Sequence, residues 1–450
     1  MTNDTSHRRT RLDRAYNAFL EHAALPFGDT VLRTEFMREL RRWRLIQHLD
    51  SASLRQMERD GLAKLLAHAS REVAHYRELG IQASEDPYEW LRRFPILTKA
   101  DLRSEGERLI TPGSGKLVKV VSSGSSGFQS TLWSTPAEIS RAQAIQTLWW
   151  EWAGYRIGDP LLQTGMTPDR GVVKRVKDRM LRTSYVTAFG LTRSDMLEVL
   201  DGYGKRKWRH IGGYASSIDA LARVALEEGR TIRFESAISW GDKLYPAHRR
   251  HLADAFDAPV VDTYGATEGF MIAAQRFDGP YYVMSPHVVV ELLDDHDEPV
   301  PPGQMGRVVV TRIDALAMPI IRFALGDLAV APARPEASPH GLEFPQLERV
   351  VGRETDVWIS PGGRTITVHT FTGVFEHEPE IEQFSVIPSD DSLVIEYRSS
   401  TEVPPGVLER ASARLREAVG ESLELAWVRV DTIPDSPSGK PQIIRRPLRD

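Results

Sequence analysis

Residues 161–263 alternate short apolar runs with segments of helical periodicity, and this alternation restricts the possible folds more than any other feature of the sequence. The helical segments are Tyr214–Glu228 and His248–Phe256. The strand-like runs are Leu161–Thr164, Trp208–Ile211, Phe234–Trp240 and Pro259–Thr263. Strands that alternate with helices are typical of α/β units around a largely parallel sheet. We therefore predict an α/β fold for the centre of the chain.

The regions on either side of this centre have different patterns. Residues 1–95 carry apolar residues at helical spacing, with charged positions between them, which predicts a helical extension. Thr98 is followed three residues later by Asp101, which resembles a capping box and predicts the start of a helix. Leu117–Val121 is strand-like and Ala137–Trp152 is helix-like. From residue 281 to 330 strands follow one another with Gly/Pro turns, so we expect an antiparallel β subdomain on the α/β core. Its expected strands are Val288–Leu293, Gly306–Thr311 and Ile320–Phe323.

A short polar segment, Gly352–Asp356, separates this large region from residues 357–450. The later residues contain one helical segment, Val407–Val419. Their strand-like runs are Val357–Ile359, Arg364–Thr367, Phe384–Ile387, Leu393–Tyr397 and Leu425–Val430. We predict a large domain over 1–352, a hinge over 353–356 and a small, mobile α+β lid domain over 357–450.

Charge and cysteine content exclude several functions. Fifty-seven Lys+Arg against 62 Asp+Glu leave no basic excess, so we expect no nucleic-acid partner. The chain has no cysteine, which excludes disulfides, thiolate zinc sites, iron–sulfur clusters and a Cys nucleophile. No run approaches the roughly 18 apolar residues of a bilayer-spanning helix. We expect a cytoplasmic protein with no membrane partner.

A run of Ser and Gly follows the strand-like segment that ends at Val121. The six residues are Ser122, Ser123, Gly124, Ser125, Ser126 and Gly127. Their backbone N–H groups and hydroxyls are suited to surround phosphate oxygens, although a plain surface loop has the same composition. Phe128 excludes a G-x-S-x-G nucleophile elbow. Gly115–Lys116 and Gly439–Lys440 both lack the residues that complete a Walker loop.

A second polar segment, Asp262–Glu268, follows an apolar strand. Gly265 permits a sharp turn there, Thr267 offers a hydroxyl to a phosphate, and Glu268 offers a carboxylate to Mg²⁺. The carboxyl ends of strands are where α/β folds place ligands. The alternative for this segment alone is a polar turn at the end of a strand.

Three further segments are uninformative singly. Asp327 is the last residue of the segment Pro319–Asp327, and we expect this segment to follow a strand. An ionised, unpaired carboxylate at Asp327 would suit the two hydroxyls of a ribose. Arg353 lies in the polar boundary segment. Lys440 follows Pro-Ser-Gly near the C-terminus, where a lysine is most often a solvated tail residue.

Taken in order, the five segments resemble those of the adenylate-forming superfamily of acyl- and aryl-CoA synthetases and luciferase-like ligases. The matching stretches are Ser122–Gly127, Tyr264–Glu268, Arg322–Asp327, Gly352–Asp356 and Gly439–Lys440. The helical N-terminus, Phe94–Leu102 and Met318–Phe323 are most similar to the phenylacetate–CoA ligase and capsule-biosynthesis branch. The resemblance spans nearly the whole chain.

The resemblance implies that a carboxylic acid attacks the α-phosphorus of ATP, which gives an acyl-adenylate and pyrophosphate. The Ser/Gly loop would hold the β- and γ-phosphates, Asp327 the ribose, and Gly241 and Asp242 the adenine. The catalytic residues by resemblance are Lys440, Thr267, Glu268 with its Mg²⁺, and Arg353. The acyl pocket would lie among Tyr214, Trp240, Tyr264, Gly265 and the helix after the phosphate loop. Its aromatic residues favour an aromatic or heteroaromatic acid.

The acceptor of the acyl group stays open between the thiol of coenzyme A, the phosphopantetheine of a carrier protein, and an amine. A non-catalytic relic of the fold is a further alternative, against which Glu268, Asp327 and Lys440 argue. Basic residues between Arg170 and Arg182 fit either CoA phosphates or an acidic carrier protein, if they are not simply a solvated helix face.

Two positions depart from the superfamily pattern. Ser130 replaces a common lysine of the phosphate loop, and Thr355 replaces the first hinge aspartate. Trp149, Trp150 and Trp152 are expected to pack in the core rather than line the acyl pocket.

Overall fold

We analysed a computed structural model of the 450-residue chain. It describes residues 9–121, 131–165, 171–188, 191–266, 269–277, 279–334, 338 and 340–353. Toward the C-terminus it describes 357–359, 365–367, 371, 374–375, 378, 380–381, 383–389, 392–399, 401–419, 424–433 and 443–445.

The first hundred residues form the expected helical extension. Its elements are α1 (Arg11–Phe19), a π-helical turn (Leu20–Ala24), α2 (Leu25–Leu32), α3 (Phe36–Ile46), α4 (Ser51–Glu72), α5 (Ala74–Glu78), α6 (Pro87–Arg92), α7 (Lys99–Ser104) and a 3₁₀ turn (Gly106–Leu109). Thr98 and Asp101 cap α7 reciprocally: the Thr98 Oγ1 accepts from the Asp101 N–H, and the Asp101 carboxylate accepts from the Thr98 N–H. The sequence motif at this position therefore does start a helix.

A small hairpin and a long helix follow. They are β1 (Val118–Val121), β2 (Thr131–Ser134) and α8 (Pro136–Trp152). β1 pairs antiparallel with β2 and with no other strand of the described chain. The first strand-like run therefore belongs to a hairpin and not to the parallel sheet.

The alternating centre of the sequence forms one sheet of eight strands with helices between them. The strands are β3 (Leu161–Gly165), β4 (Thr183–Thr187), β5 (His210–Tyr214), β6 (Ser236–Trp240), β7 (Val260–Ala266), β8 (Phe270–Gln275), β9 (Tyr281–Val283) and, later in the chain, β13 (Gln346–Leu347). The helices are α9 (Gly171–Met180), α10 (Arg193–Asp201), α11 (Tyr203–Arg206), α12 (Ala215–Glu227) and α13 (Pro246–Phe256). The order is β13-β9-β8-β7-β6-β5-β3-β4, and the five strands from β7 to β4 are parallel. The predicted α/β fold is confirmed.

A second, antiparallel sheet packs beside the first. It has the order β10-β11-β12-β14, with β10 (Val288–Leu293), β11 (Met305–Arg312), β12 (Phe323–Val330) and β14 (Arg349–Arg353). Phe270 and Ile272 of β8 and Phe323 of β12 share one hydrophobic core with α4 and α6 of the helical extension.

One strand boundary was predicted wrongly in this sheet. Ile320–Phe323 is not a strand: β12 begins at Phe323, because Arg322 has a left-handed backbone with φ 51°. The buried Arg322 guanidinium donates to the Phe94 carbonyl (2.9 Å) and pairs with Glu291 (3.2 Å). Leu97 forms an isolated parallel β-bridge with Phe323. The two stretches that mark the phenylacetate branch in the sequence are therefore in direct contact.

The C-terminal elements build a hydrophobic cluster of their own. They are β15 (Val357–Ile359), β16 (Thr365–Thr367), β17 (Gln383–Pro388), β18 (Ser392–Arg398), α14 (Pro405–Val419) and β19 (Glu424–Arg429). Side chains such as Phe371, Val386, Ile395 and Leu415 are buried together. The hinge predicted at 353–356 stays a prediction, and Thr355 and Asp356 lie outside the described residues. In the part of the chain that is described, every helix is too short or too polar to cross a membrane.

Candidate functional site

The carboxyl ends of the parallel strands bring three of the predicted pocket residues to one edge of the large sheet. Tyr214 ends β5, Trp240 ends β6, and the two residues are partners in the parallel register. Tyr264 lies near the end of the adjacent strand β7. This is the edge at which open α/β sheets bind ligands.

Gly241 follows Trp240 and has a left-handed backbone with φ 82°. A Cβ at this position would collide with the ring of Tyr214. Glycine is therefore required twice, by the backbone angle and by the aromatic ring that lies against it. Burial raises the pKa of the Tyr214 hydroxyl, and the neighbouring Asp242 carboxylate adds to the effect.

Trp240 also stacks on Trp150 of α8, with ring centroids 5.6 Å apart and planes 19° apart. Trp149 and Trp152 are buried in the core, as expected. Trp150 is half-buried and belongs to the aromatic cluster at the strand ends. Trp150 thus packs against the core, as expected, and α8 also brings it to the edge of the sheet, where it contacts Trp240.

Asp242 holds the start of α12. Its carboxylate accepts hydrogen bonds from the Ala215 and Ser216 N–H groups and from the Ser216 hydroxyl. The residue at the N-cap position, Tyr214, makes no side-chain hydrogen bond to the helix. Asp242, which follows β6, therefore accepts hydrogen bonds from the first N–H groups of α12, which have no partner within the helix. Its negative charge lies at the positive end of the helix dipole.

We expect Asp242→Ala to lower the free energy of unfolding by about 0.5–2 kcal/mol, as the loss of a helix cap does. Urea unfolding followed by circular dichroism measures the change. Asp254→Ala, an exposed aspartate on α13, is the matched control and is expected to change little. Equal stabilities of the Asp242 variant and the unaltered protein would show that the cap is not needed.

A hydrogen bond connects the two large sheets at this edge. The Tyr264 hydroxyl donates to Oδ2 of Asp327 at 2.9 Å. Asp327 lies inside β12, paired in register with Arg353 of β14, and does not follow a strand as predicted. The carboxylate is also not unpaired, since the tyrosine already occupies one of its oxygens. Three separate motif segments of the sequence thus meet at Tyr264, Asp327 and Arg353.

Gly265 is not in a turn. It belongs to β7, where the pairing with β8 is irregular between Tyr264 and Gly265. A Cβ on Gly265 would lie 2.8 Å from the Phe270 carbonyl oxygen. The glycine is required by the close approach of the next strand, and the sequence prediction of a sharp turn was wrong.

Asp262 and Lys243 belong to segments that the sequence singled out, but their contacts were not predicted. Asp262 in β7 accepts hydrogen bonds from the hydroxyls of Ser239 and Tyr281, and burial raises the pKa of its carboxyl. The ammonium of Lys243 donates to the Val351 carbonyl of β14. An acidic residue inside an apolar strand was a visible signal for Asp262, whereas Lys243 acts on a carbonyl 108 residues away and had none.

Several predicted site residues lie outside the described part of the chain. They are Ser122, Ser123, Gly124, Ser125, Ser126, Gly127, Thr267, Glu268 and Lys440. Ser130 lies outside it too, and of Arg353 only the backbone is described. Their roles stay predictions. Among the described residues no group of three or more His, Asp or Glu side chains is arranged to hold a metal ion.

The basic run is only partly helical. Lys174, Arg175, Lys177 and Arg179 lie on α9, whereas Arg182 leaves the helix with φ 54° and pairs with Asp13 of α1 at 2.8 Å. Arg170 is outside the described residues.

Known proteins resemble this chain over most of its length. No family model matches it. The protein CapK of Staphylococcus aureus is 20% identical over 360 residues, which are 78% of this chain and 79% of CapK. A phenylacetate–coenzyme A ligase of Thermus thermophilus is 23% identical over 336 residues, which are 70% of this chain and 74% of that protein.

Among solved structures, a 2-hydroxyisobutyryl-CoA ligase in complex with R3-HIB-AMP superimposes with a TM-score of 0.69. It is 18% identical, and the match covers 89% of this chain and 91% of the ligase. The chain therefore shares the fold of this ligase, and its sequence is similar to CapK and to the phenylacetate–coenzyme A ligase over most of its length.

Proposed function

We propose that this protein is an AMP-forming acid–thiol ligase. A carboxylate oxygen of the substrate would attack the α-phosphorus of ATP, the bond to the β-phosphate oxygen would break, and pyrophosphate would leave. A thiol such as that of coenzyme A would then lose its proton, attack the acyl carbonyl and displace AMP. The observation that carries this proposal is the contact of Tyr264 with Asp327 at the carboxyl edge of the sheet.

The nucleotide would bind across the junction of the two sheets. Asp327, whose carboxylate accepts the Tyr264 hydrogen bond, lies at this junction, and we assign it to the ribose hydroxyls. Asp242 serves as a helix cap, so the adenine would rest against the backbone of Gly241 rather than on a free carboxylate. The proposed phosphate ligands are the Ser/Gly loop, Ser122–Gly127, and Thr267.

The proposed site has one candidate ligand for a magnesium ion. Mg²⁺ is commonly held by one or two carboxylates together with substrate phosphates, and the described residues offer no larger cluster of carboxylates. We assign Glu268 to it because the segment Tyr264–Glu268 resembles the superfamily segment whose glutamate holds the ion. When bound, the ion would supply positive charge to the phosphates.

The acid would lie against the aromatic residues at the strand ends. Tyr214, Trp240 and Tyr264 are all half-buried, and Trp240 is held in place by its stack on Trp150. Flat rings held rigidly at an edge favour a flat ligand, because stacking adds to simple burial. We therefore propose an aromatic or heteroaromatic acid, as the similarity to phenylacetate–coenzyme A ligase also suggests.

The small domain would complete the site. We propose that residues 357–450 move about a hinge at 353–356, that Lys440 reaches the reacting carboxylate and α-phosphate, and that Arg353 contacts the nucleotide. An ammonium at that point would stabilise the charge that develops in the transition state.

Pyrophosphate exchange over a library of carboxylic acids tests the proposal without knowledge of the acceptor. We expect ATP-dependent exchange with at least one aromatic or heteroaromatic acid, phenylacetate included in the set. Exchange with aliphatic acids alone would contradict the aromatic assignment, and exchange with none would contradict the ligase assignment. With the best acid in hand, coenzyme A, a phosphopantetheinylated carrier protein and simple amines are then compared as acceptors.

A further inference from the structure

The N-terminal helix exposes an apolar face to solvent. α1, the π-helical turn and α2 form one continuous helix from Arg11 to Leu32, because the backbone stays helical at both junctions. At 1.5 Å per residue this helix is about 33 Å long. Its large exposed apolar side chains are Leu12 (80% exposed), Phe19 (57%), Phe27 (72%), Val31 (61%) and Leu32 (71%). Leu12, Phe19, Phe27 and Val31 share one face of the helix, and we call these four residues the apolar stripe.

The π-helical turn keeps the stripe straight. Leu12 and Phe19 are seven residues apart and Phe27 and Val31 are four apart, which are both same-face spacings of an α-helix. Phe19 and Phe27 are eight apart, but the turn between them takes up one extra residue. Exposed small residues lie alongside the stripe, namely Ala15, Ala18 and Ala23. The apolar face is therefore continuous along the helix.

The charges on the exposed side of this helix are basic. Asp13 pairs with Arg182, Glu21 pairs with Arg44, and Asp29 accepts hydrogen bonds from the first N–H groups of α3. All three acids of the helix are thus used in contacts with the rest of the protein. The exposed charged side chains are Arg11, Arg14 and Arg33.

The helix lies at the end of the sheet opposite the candidate site. Asp159, two residues before β3, accepts hydrogen bonds from Arg9 and from Asn17 (2.9 Å). Arg182, the residue before β4, holds Asp13. The helix therefore packs at the amino ends of the parallel strands, whereas the aromatic cluster lies at their carboxyl ends.

From the apolar stripe, its arginines and its position, we infer that this helix binds the surface of an anionic membrane. The stripe enters the boundary between headgroups and acyl chains, and Arg11, Arg14 and Arg33 meet the lipid phosphates. Binding in this plane requires no membrane-spanning helix, and it directs the candidate site away from the membrane. It differs from the expectation, drawn from the sequence, that no membrane takes part.

Two other occupants fit the face less well. A second copy of the chain would bring the same basic charges against this one, so a symmetric contact is opposed by repulsion. A carrier protein that delivers a thiol would need to dock at the carboxyl edge of the sheet, where the acyl group would be. The inference goes beyond the proposed function and does not depend on ligase activity.

Co-sedimentation of the full chain with lipid vesicles tests the inference. We expect binding to vesicles of phosphatidylglycerol, weaker binding at high salt, and little binding to vesicles of phosphatidylcholine. Equal binding to both vesicle types, or binding to neither, would overturn the inference.

The variant Phe19→Ser/Phe27→Ser is expected to bind phosphatidylglycerol vesicles at least about tenfold more weakly, because each lost ring removes apolar area from the lipid contact. Leu226→Ser, an exposed apolar residue on α12, is the matched control and is expected to bind like the unaltered protein. Thermal unfolding and pyrophosphate exchange are expected to be unchanged in both, since all three side chains are exposed. Unchanged binding by the double variant would overturn the inference.

A charge-reversal pair provides an independent test. Arg11→Glu/Arg14→Glu is expected to weaken binding, whereas Lys205→Glu on α11, also exposed, is expected to leave it intact. Analytical ultracentrifugation excludes the second copy as occupant if the unaltered protein stays monomeric. A dimer that the Phe19→Ser/Phe27→Ser change dissociates would show an interface between copies and would overturn the lipid assignment.

Discussion

Lys440→Ala is expected to lower pyrophosphate exchange by about 10²–10³-fold, which is the usual cost of removing a donor that stabilises transition-state charge. The ammonium would lie between the attacking carboxylate and the α-phosphate, where negative charge accumulates. Transfer from a chemically made acyl-adenylate is expected to be spared, because the α-phosphate bond has already been broken before that step. The two half-reactions are measured separately, with the acid that exchanges best.

Two further variants test whether the effect is specific to the ammonium of Lys440. Lys440→Arg is expected to recover little activity, since a planar guanidinium does not replace a compact ammonium. Lys205→Ala, an exposed lysine on α11, controls for the loss of one positive charge. If the Lys440→Ala protein exchanges pyrophosphate as well as the control does, Lys440 is a solvated tail residue and has no catalytic role.

Asp327→Asn is expected to raise the KM for ATP by about 10- to 100-fold, and to leave the KM for the acid nearly constant. The substitution keeps the shape of the side chain but removes its charge, and hydrogen bonds to a charged group contribute about 1.5–3 kcal/mol. Steady-state exchange, with each substrate varied in turn, gives both constants.

Tyr264→Phe separates the nucleotide role of Asp327 from its contact with the tyrosine. It removes only the hydroxyl that donates to Asp327 at 2.9 Å, a neutral donor, so we expect a smaller rise in the KM for ATP, about twofold to tenfold. Asp254→Asn on α13 is the control for the charge. Equal effects of Asp327→Asn and Asp254→Asn would remove Asp327 from the nucleotide site.

Local chemistry explains which structural features were predictable from the sequence. The capping box at Thr98 involves residues three positions apart, and the alternation of strands and helices from Leu161 onward is a periodic pattern. Both signals are contained in short windows, so both were read correctly. The carboxyl-edge position of Tyr214 and Trp240 followed from the parallel sheet that the alternation predicts.

The errors arose where a distant part of the chain decides the local conformation. The backbone of Arg322 departs from the predicted strand conformation because its guanidinium donates to the Phe94 carbonyl, 228 residues earlier. The stack of Trp150 on Trp240 was not predicted either, because α8 and β6 meet only in the folded chain. No short window of the sequence contains both residues of either contact.

The bridge between Leu97 and Phe323 has a consequence for synthesis on the ribosome. Its partners are 226 residues apart by their numbers, and translation at about 5–20 residues per second separates their appearance by about 10–45 s. During that interval α4 and α6 exist without the strand that covers them, and their buried residues, Leu65 and Leu91 among them, face water. The nascent chain therefore exposes hydrophobic surface that is prone to aggregation and that chaperones are suited to bind. Slower translation lengthens the time for which this surface is exposed.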